Sequence, residues 1–263
     1  MLSMSKLAEA RCRLLQRIER KYATRTQTHA IGPLRLKFTR IADADVVLDQ
    51  IVEEEDRREK ITGQRRDGNE LHLPYWAELW DSAIGIAVYL SSGNLRFANC
   101  DLRSGNAAFN RKSQFANRKC ILDLGCGMGF AGMAAAALGA KVLFADLEPD
   151  ALLFARLNTL PWANRVRTRQ LNWQSDRLDE SFDLILGADV LYDRTQWEFL
   201  DAFFRAHLRE DGCVLLGEPG RQTGEMFPEW ITQRGWALTH ISQKIPTRKN
   251  PIRIFRLSHS AKK

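Results

Sequence analysis

The sequence predicts an α/β fold built as a doubly wound parallel sheet. Three observations predict it. Short apolar strands alternate with helical segments from residue 120 onward, a glycine turn "LGCGMGF" joins the first of those strands to a small-residue helix, and two consecutive strands end the chain. Strand-helix alternation means parallel strands whose crossovers cover both faces of the sheet. With 263 residues, 44% of them hydrophobic, the chain is long enough for one sizeable domain and an appendage.

In chain order, Leu7, Cys12, Leu14, Leu15 and Ile18 recur at helical spacing with arginines on the other face, so an accessory helix comes first. "LRLKFTRI", ending at Ile41, alternates like a strand. "DADVVLDQIVEEEDRRE" has an Asp-rich start and helical spacing through Val46, Leu48 and Ile51. "RRDGNELHLPYW" breaks that pattern with Asp-Gly and Pro74. The helix in "ELWDSAIGIAVYL" packs through Trp80, Ile84, Ala87 and Val88. Residues 91–118 are rich in Ser, Asn, Gly and Arg without a period and read as an inserted polar loop. The expected organisation is an N-terminal helical and strand extension over 1–73, followed by a domain over 74–263 that carries this insert.

The strands expected at 120–125, 141–146, 166–172, 182–189 and 212–218 alternate with helices near 130–138, 149–160, 194–208 and 223–234, with Gly139 capping the first of these. The end differs. "WALTHIS" (236–242) and "IRIFRLS" (252–258) are joined by the Pro-flanked "KIPTRKNP" without a helix, which predicts an antiparallel hairpin at the sheet edge.

The formal charge of +7 is unevenly distributed: residues 1–40 hold ten Lys/Arg against two acids, 92–119 six against one, and 244–263 seven against none. The middle of the chain is therefore acidic, and the basic segments read as solvated surface. No apolar run approaches the roughly 18 residues that span a bilayer, and charges interrupt the N-terminus where a secretory apolar core would be continuous. A soluble, cytoplasmic protein with no membrane association is expected. Five cysteines without a C-x-x-C pair indicate neither a disulfide framework nor a zinc site, and no metal is expected.

The glycine turn raises the question of its cofactor. Gly125, Gly127 and Gly129 give G-x-G-x-G where a dinucleotide turn needs G-x-G-x-x-G, and bulky Phe130 occupies the third dinucleotide position. Asp123, two residues before the first glycine, would face a pyrophosphate, and like charges within about 5 Å cost on the order of 1–3 kcal/mol at intermediate dielectric. A cation is attracted instead. S-adenosylmethionine carries an ammonium and a sulfonium and no phosphate, so it suits the turn. Asp146 closes the second strand, placed to accept from two ribose hydroxyls, with Leu147 beside it. Asn172 and Trp173 close the third strand, placed for an adenine amine and an adenine face. Asp189 closes the fourth, at the carboxyl edge where open α/β sheets bind ligands.

"PYWAELWDSAIGIAVYL" (74–90), "LDLGCGMGFAGMAAAALGAKVLFADLEPDAL" (122–152) and "DLILGADVLYD" (183–193) together resemble the class I, seven-strand S-adenosylmethionine-dependent methyltransferases. Within that class the chain is similar to the group of protein-lysine and nicotinamide N-methyltransferase-like proteins. "GEPGR" (217–221) is similar to an Asp-Pro-Gly-Arg stretch of bacterial members, with Glu218 in place of Asp. The resemblance implies a Rossmann-like sheet of order 3-2-1-4-5-7-6 with strand 7 antiparallel, a cofactor contact from Trp80, and Asp189 and Tyr192 of D-x-x-Y as the catalytic pair beside the nucleophile. Asn172 stands where an acid is commoner. It implies direct in-line methyl transfer to a protein lysine, with Trp76, Trp80 and Tyr192 as walls that hold the methylated cation. A small-molecule acceptor of the nicotinamide type stays open. So does an RNA acceptor, which the basic segments favour and the absence of N-P-P-Y opposes. A binding module without activity is the non-enzymatic alternative.

Overall fold

The structure is a computed structural model that describes residues 4–64, 74–93 and 119–260. Helix α1 (Met4–Glu19) precedes a hairpin of β1 (Thr24–Ile31) and β2 (Leu34–Ile41), and α2 (Ala44–Thr62) follows. After a single 3₁₀ turn at Tyr75–Ala77 come α3 (Asp81–Ser91), β3 (Cys120–Leu124), α4 (Phe130–Ala137), β4 (Lys141–Asp146), α5 (Pro149–Asn158) and β5 (Val166–Gln170). The remainder is β6 (Phe182–Ala188), α6 (Trp197–His207), β7 (Leu208–Glu218), α7 (Gln222–Gln233), β8 (Trp236–Gln243) and β9 (Ile252–His259). Most of the expected insert, 94–118, lies outside the described residues, as does 65–73 of the "RRDGNELHLPYW" break.

The main sheet has the order β5-β4-β3-β6-β7-β9-β8. Its first five strands run parallel, while β9 pairs antiparallel with both β7 and β8. Counted from β3 as the first sheet strand, this is the order that the resemblance implies, and the terminal hairpin lies at the edge as expected. Gly139, at φ +108, follows the last turn of α4 in the left-handed conformation that ends helices.

Both faces of the sheet are covered, so its inner strands are rich in apolar residues that split by parity, while the edge strands β5 and β8 are more polar and exposed. Ile121, Val142, Phe144, Leu184 and Leu215 join the core under α3, α4 and α5. Leu122, Leu143, Ile185, Val214 and Leu216 join the core under α6 and α7. Helices α4 and α5 are rich in alanine where they approach the sheet, which lets them pack closely and brings the turn before α4 down onto β4.

Strand β1 has no counterpart among the expected elements. "TRTQTHAI" buries only Ile31 fully, so its polar alternation carries no apolar signal, and pairing with β2 over Thr24–Ile31 alone makes it a strand. Strand β7 also begins at Leu208, four residues before the expected start. Leu208 pairs with Phe182 ahead of a register shift in β6, so Leu208, expected to end the preceding helix, and the "RED" after it belong to the strand.

One amide joins the N-terminal hairpin to the domain. Asn158, 2% exposed at the end of α5, accepts from Thr39 N–H at 2.8 Å and donates to Thr39 C=O and Met128 C=O at 3.0 Å each. It thereby ties β2 to the glycine turn that contains Met128. Asn158→Ala leaves two carbonyls and one N–H buried without this partner, and the expected loss is about 2–4 kcal/mol of stability, read as a lower urea midpoint at unchanged slope.

Candidate active site

The carboxyl ends of β3, β4, β5 and β6 converge on a cavity of about 850 Å³. It opens where the strand order reverses, between β3 and β6, the position at which open α/β sheets bind ligands. Gly125, Gly127 and Gly129 form its floor, all at positive φ. At Gly127, φ is +51 and a Cβ would lie 3.3 Å from Trp76 C=O, so the turn needs glycine for both backbone shape and clearance. Cys126 N–H donates to Ala145 C=O, and Gly127 N–H donates to Asp146 Oδ2 at 2.8 Å. The turn is thus fastened to the end of β4.

Asp146 also accepts from Glu148 N–H through Oδ1 at 3.0 Å. Asp146 lines the cavity, and a carboxylate with its two oxygens suits the role of a bidentate acceptor of two hydroxyls. Burial pushes its carboxyl up to about 6, against backbone N–H bonds from Glu148, Gly127 and Leu147 that pull it down. Leu147, Asn172 and Trp173 line the same end. Asn172 Oδ1 accepts from Gln174 N–H, so its amide is oriented by its own turn. The Trp173 ring leans over Gly125, and its Nε1 donates to Gln196 Oε1 at 3.1 Å.

Asp123 is placed differently from the expectation. It does not line the cavity: it is 1% exposed, and Oδ2 accepts from Gly132 N–H at 2.8 Å, inside the first turn of α4. Strand parity is the reason, because Asp123 points to the α4 side with Ile121 instead of out past the strand end. Its direct role is to cap α4 from below. Burial raises its carboxyl to about 7, with Asp146 adding to the rise.

At the opposite end of the cavity lies Asp189, a non-glycine residue at φ +61. The bend is held by its N–H donating to Gly217 C=O at 2.9 Å, and it turns the side chain back into the cavity. Ser82 Oγ donates to Oδ2 at 3.4 Å, while Arg221 Nε and Nη2 both reach Oδ1, at 3.0 and 2.9 Å. Burial raises the Asp189 carboxyl and Arg221 opposes the rise. Sequence reasoning quoted Arg221 only within a motif and gave it no role; its contact with a strand end 32 positions away carries no local signal.

Three aromatic rings stand at the mouth beside Asp189. Tyr75 meets Tyr192 edge-on at 5.4 Å between centroids and Trp80 at 6.4 Å, and Trp80 Nε1 donates to Tyr75 C=O at 2.8 Å. Tyr75 and Tyr192 are 47% and 42% exposed. Tyr75 is absent from the sequence expectation, although it directly precedes Trp76 in the quoted motif. Trp76 packs against Tyr22 and Phe154, so its ring belongs mainly to the core beneath the turn. Among the described residues the lining holds five carboxylates, Glu78, Asp146, Glu148, Asp189 and Asp193, and no Lys, Arg or His. Such a cavity attracts cations and repels phosphate.

A family model described as lysine methyltransferase matches residues 73–231, which spans the turn, Asp189, the aromatic mouth and Arg221. The chain belongs to that lysine methyltransferase family. It is 32% identical over 148 residues to a protein N-lysine methyltransferase METTL21A of Xenopus tropicalis, covering 53% of this chain and 58% of that protein. To an electron transfer flavoprotein beta subunit lysine methyltransferase of Danio rerio it is 30% identical over 154 residues, covering 56% and 51%. To an EEF1A lysine methyltransferase 3 of Mus musculus it is 31% identical over 150 residues, covering 55% and 56%. The chain thus spans little more than half the length of these curated relatives. Burial of Asp123 and Asp146 beside the turn gives a pH signature.

Both Asp123 and Asp146 hold their proton in the folded state to a higher pH than an unfolded carboxyl does. Their contribution to stability is therefore complete below the unfolded value near 3.8 and lost as pH rises through about 6 to 7. Asp123→Asn keeps an acceptor for Gly132 N–H without the buried charge. Its urea midpoint is expected to fall less between pH 5 and pH 8 than that of the wild type, by a difference on the order of a few kcal/mol in unfolding free energy. Parallel curves for the two proteins would show that Asp123 does not carry the effect.

Proposed function

We propose that this chain transfers a methyl group from S-adenosylmethionine to the side-chain amine of a protein lysine. The observation that carries the reading is the Asp189 carboxylate set inside an acid-lined cavity and walled by Tyr75, Trp80 and Tyr192. Family membership supports it, as do the relatives' names.

The cavity fits the cofactor on residue chemistry. Among the described residues its lining carries five carboxylates and no Lys, Arg or His, and the glycine floor leaves a cradle that a Cβ would fill. Gly125, Gly127 and Gly129 would hold the amino-acid part, Asp146 with Leu147 the ribose, and Asn172 with Trp173 the adenine. When bound, the cofactor supplies a methyl group on a sulfonium, an electrophile with a good leaving group.

The chain's own residues then have three tasks. The aromatic mouth strips water from an incoming lysine, which lowers the amine's pKa and favours the neutral nucleophile. Asp189 and Tyr192 orient the nitrogen lone pair along the line of displacement, with Asp189 accepting a hydrogen bond from the amine. As nitrogen becomes cationic, the ring faces of Trp80 and Tyr192 stabilise it. No residue of α1 lines the cavity, so the mouth is not lidded by the N-terminal helix; two half-exposed tyrosines at its edge suit a side chain presented on a protein. A cytoplasmic location belongs to the same proposal. Among the described residues no helix is long and apolar enough to cross a membrane, and Cys12, Cys120, Cys126 and Cys213 are free thiols.

Labelled-methyl transfer into fractionated cell extract, followed by mass spectrometry, tests the reading. The label is expected on lysine Nζ of protein. Asp189→Asn keeps a residue type that tolerates the left-handed backbone, and it is expected to lower kcat about 100-fold. Label confined to small molecules would overturn the protein acceptor. Gly127→Ala is expected to weaken S-adenosylmethionine binding by roughly tenfold or more in calorimetry, through about 1–2 kcal/mol of backbone strain and the contact with Trp76 C=O.

A further inference from the structure

We infer that Arg221 is a positioning residue for methyl transfer: it aims the Asp189 carboxylate at the acceptor amine and locks it to the aromatic wall through Trp80. The inference rests on the reading of the site given above and assigns a role to a residue outside the cavity lining.

The geometry joins two ion pairs, Asp189 with Arg221 and Glu218 with Arg253. Arg221 Nε and Nη2 both hold Asp189 Oδ1, which leaves Oδ2, with only the longer Ser82 contact, as the oxygen turned to the acceptor. The Arg221 guanidinium lies over the Trp80 ring, 5.3 Å from its centroid. One planar group therefore fixes the carboxylate and the ring in register with each other.

Arg221 is itself anchored from behind. Glu218, 2% exposed at the end of β7, accepts from Gly220 N–H and from Arg221 N–H. Arg253 of β9 pairs with Glu218 through Nε at 2.7 Å and also donates to Arg221 C=O at 3.4 Å. The antiparallel strand at the sheet edge thus acts on the site through Arg253, Glu218 and Arg221 in turn. A buried acid at Glu218 next to Asp189 would by itself favour protonating Asp189, and Arg221 stands between the two.

The charged and titratable groups facing Asp189 are Arg221 and Glu218 from the β7 side, with the Ser82 hydroxyl from α3 and Tyr192 from its own loop. Burial raises the Asp189 carboxyl, and the Arg221 charge is the largest opposing influence. A protonated Asp189 would not orient an amine by accepting from it.

The test is the pH–rate profile of the full chain with S-adenosylmethionine and the labelled acceptor, comparing wild type, Arg221→Ala and Arg221→Lys. In Arg221→Ala, kcat at neutral pH is expected to fall about 10- to 100-fold and the acid limb to move to higher pH, because Asp189 keeps its proton longer. Binding of S-adenosylmethionine by calorimetry is expected to change less than twofold. Arg221→Lys keeps the charge without the two-point geometry, so its acid limb is expected near that of the wild type while kcat stays reduced. A wild-type acid limb in Arg221→Ala, or a loss of rate matched by an equal loss of cofactor affinity and of melting temperature, would overturn the inference. The limb is read on whichever amine takes the label. A chain that labels only small amines therefore overturns the protein-lysine reading and leaves the Arg221 comparison intact, and a chain that transfers no label overturns both.

Discussion

The Asp146 carboxylate, bonded to Gly127 N–H and Glu148 N–H at the end of β4, is the interaction on which the site depends. A run of three glycines at positive φ has no side chains to hold its shape, and its backbone donors would otherwise need water. Asp146 fixes the middle of the turn from one side, and Asp123 fixes the helix it leads into from below through Gly132 N–H. Two acids are buried for this purpose, at the cost of raised carboxyl pKa values. The cavity floor and the direction of α4 follow from that pair.

The acceptor end is built by a different device. Asp189 occupies a left-handed backbone that few non-glycine residues adopt, secured by Gly217 C=O across the sheet. The bend sends its side chain inward instead of along the sheet surface, where Arg221 meets it. Alternation of Asp189, Arg221, Glu218 and Arg253 keeps each buried or half-buried charge next to an opposite one. The acids that line the cavity attract a cation, and Asp189 at its far end is held and oriented by Arg221.

The N-terminal hairpin is part of this construction. Phe38 of β2 packs edge-on against Phe130 at the start of α4 and lines the cavity, and Asn158 bonds β2 to the Met128 carbonyl of the turn. Tyr22 and Lys21 reach Asp150 in the first turn of α5, so the segment before the hairpin is also fastened next to the turn. Stiffness of the cofactor end is thus shared between the sheet and an element that sequence patterns alone set apart.

Local patterns carried much of this architecture. Strand and helix alternation, the glycine turn and the helix-free final pair were legible because each is a matter of residues within ten positions of one another, and the observed sheet order agrees with the one the resemblance implied. Gly125, Gly127, Gly129, Asp146, Trp173, Asp189 and Tyr192 were legible as cavity residues for the same reason: strand ends and turns place them. Strand β1 was not, since its polar surface leaves no periodic signal and only pairing with β2 defines it. Direction within the sheet was also decided by tertiary structure. Parity sends Asp123 under α4, away from the cavity, although its position next to the turn makes it look like a ligand. Tyr75 and Arg221 acquire their places only when 74–80, 189–192 and 218–221 are brought together by packing of α3 on β7, a contact between segments far apart in the chain. The sequence by itself determined which strand ends could bear a site and what charge it would carry; the packing of the sheet decided which acids face the cavity and which group aims Asp189.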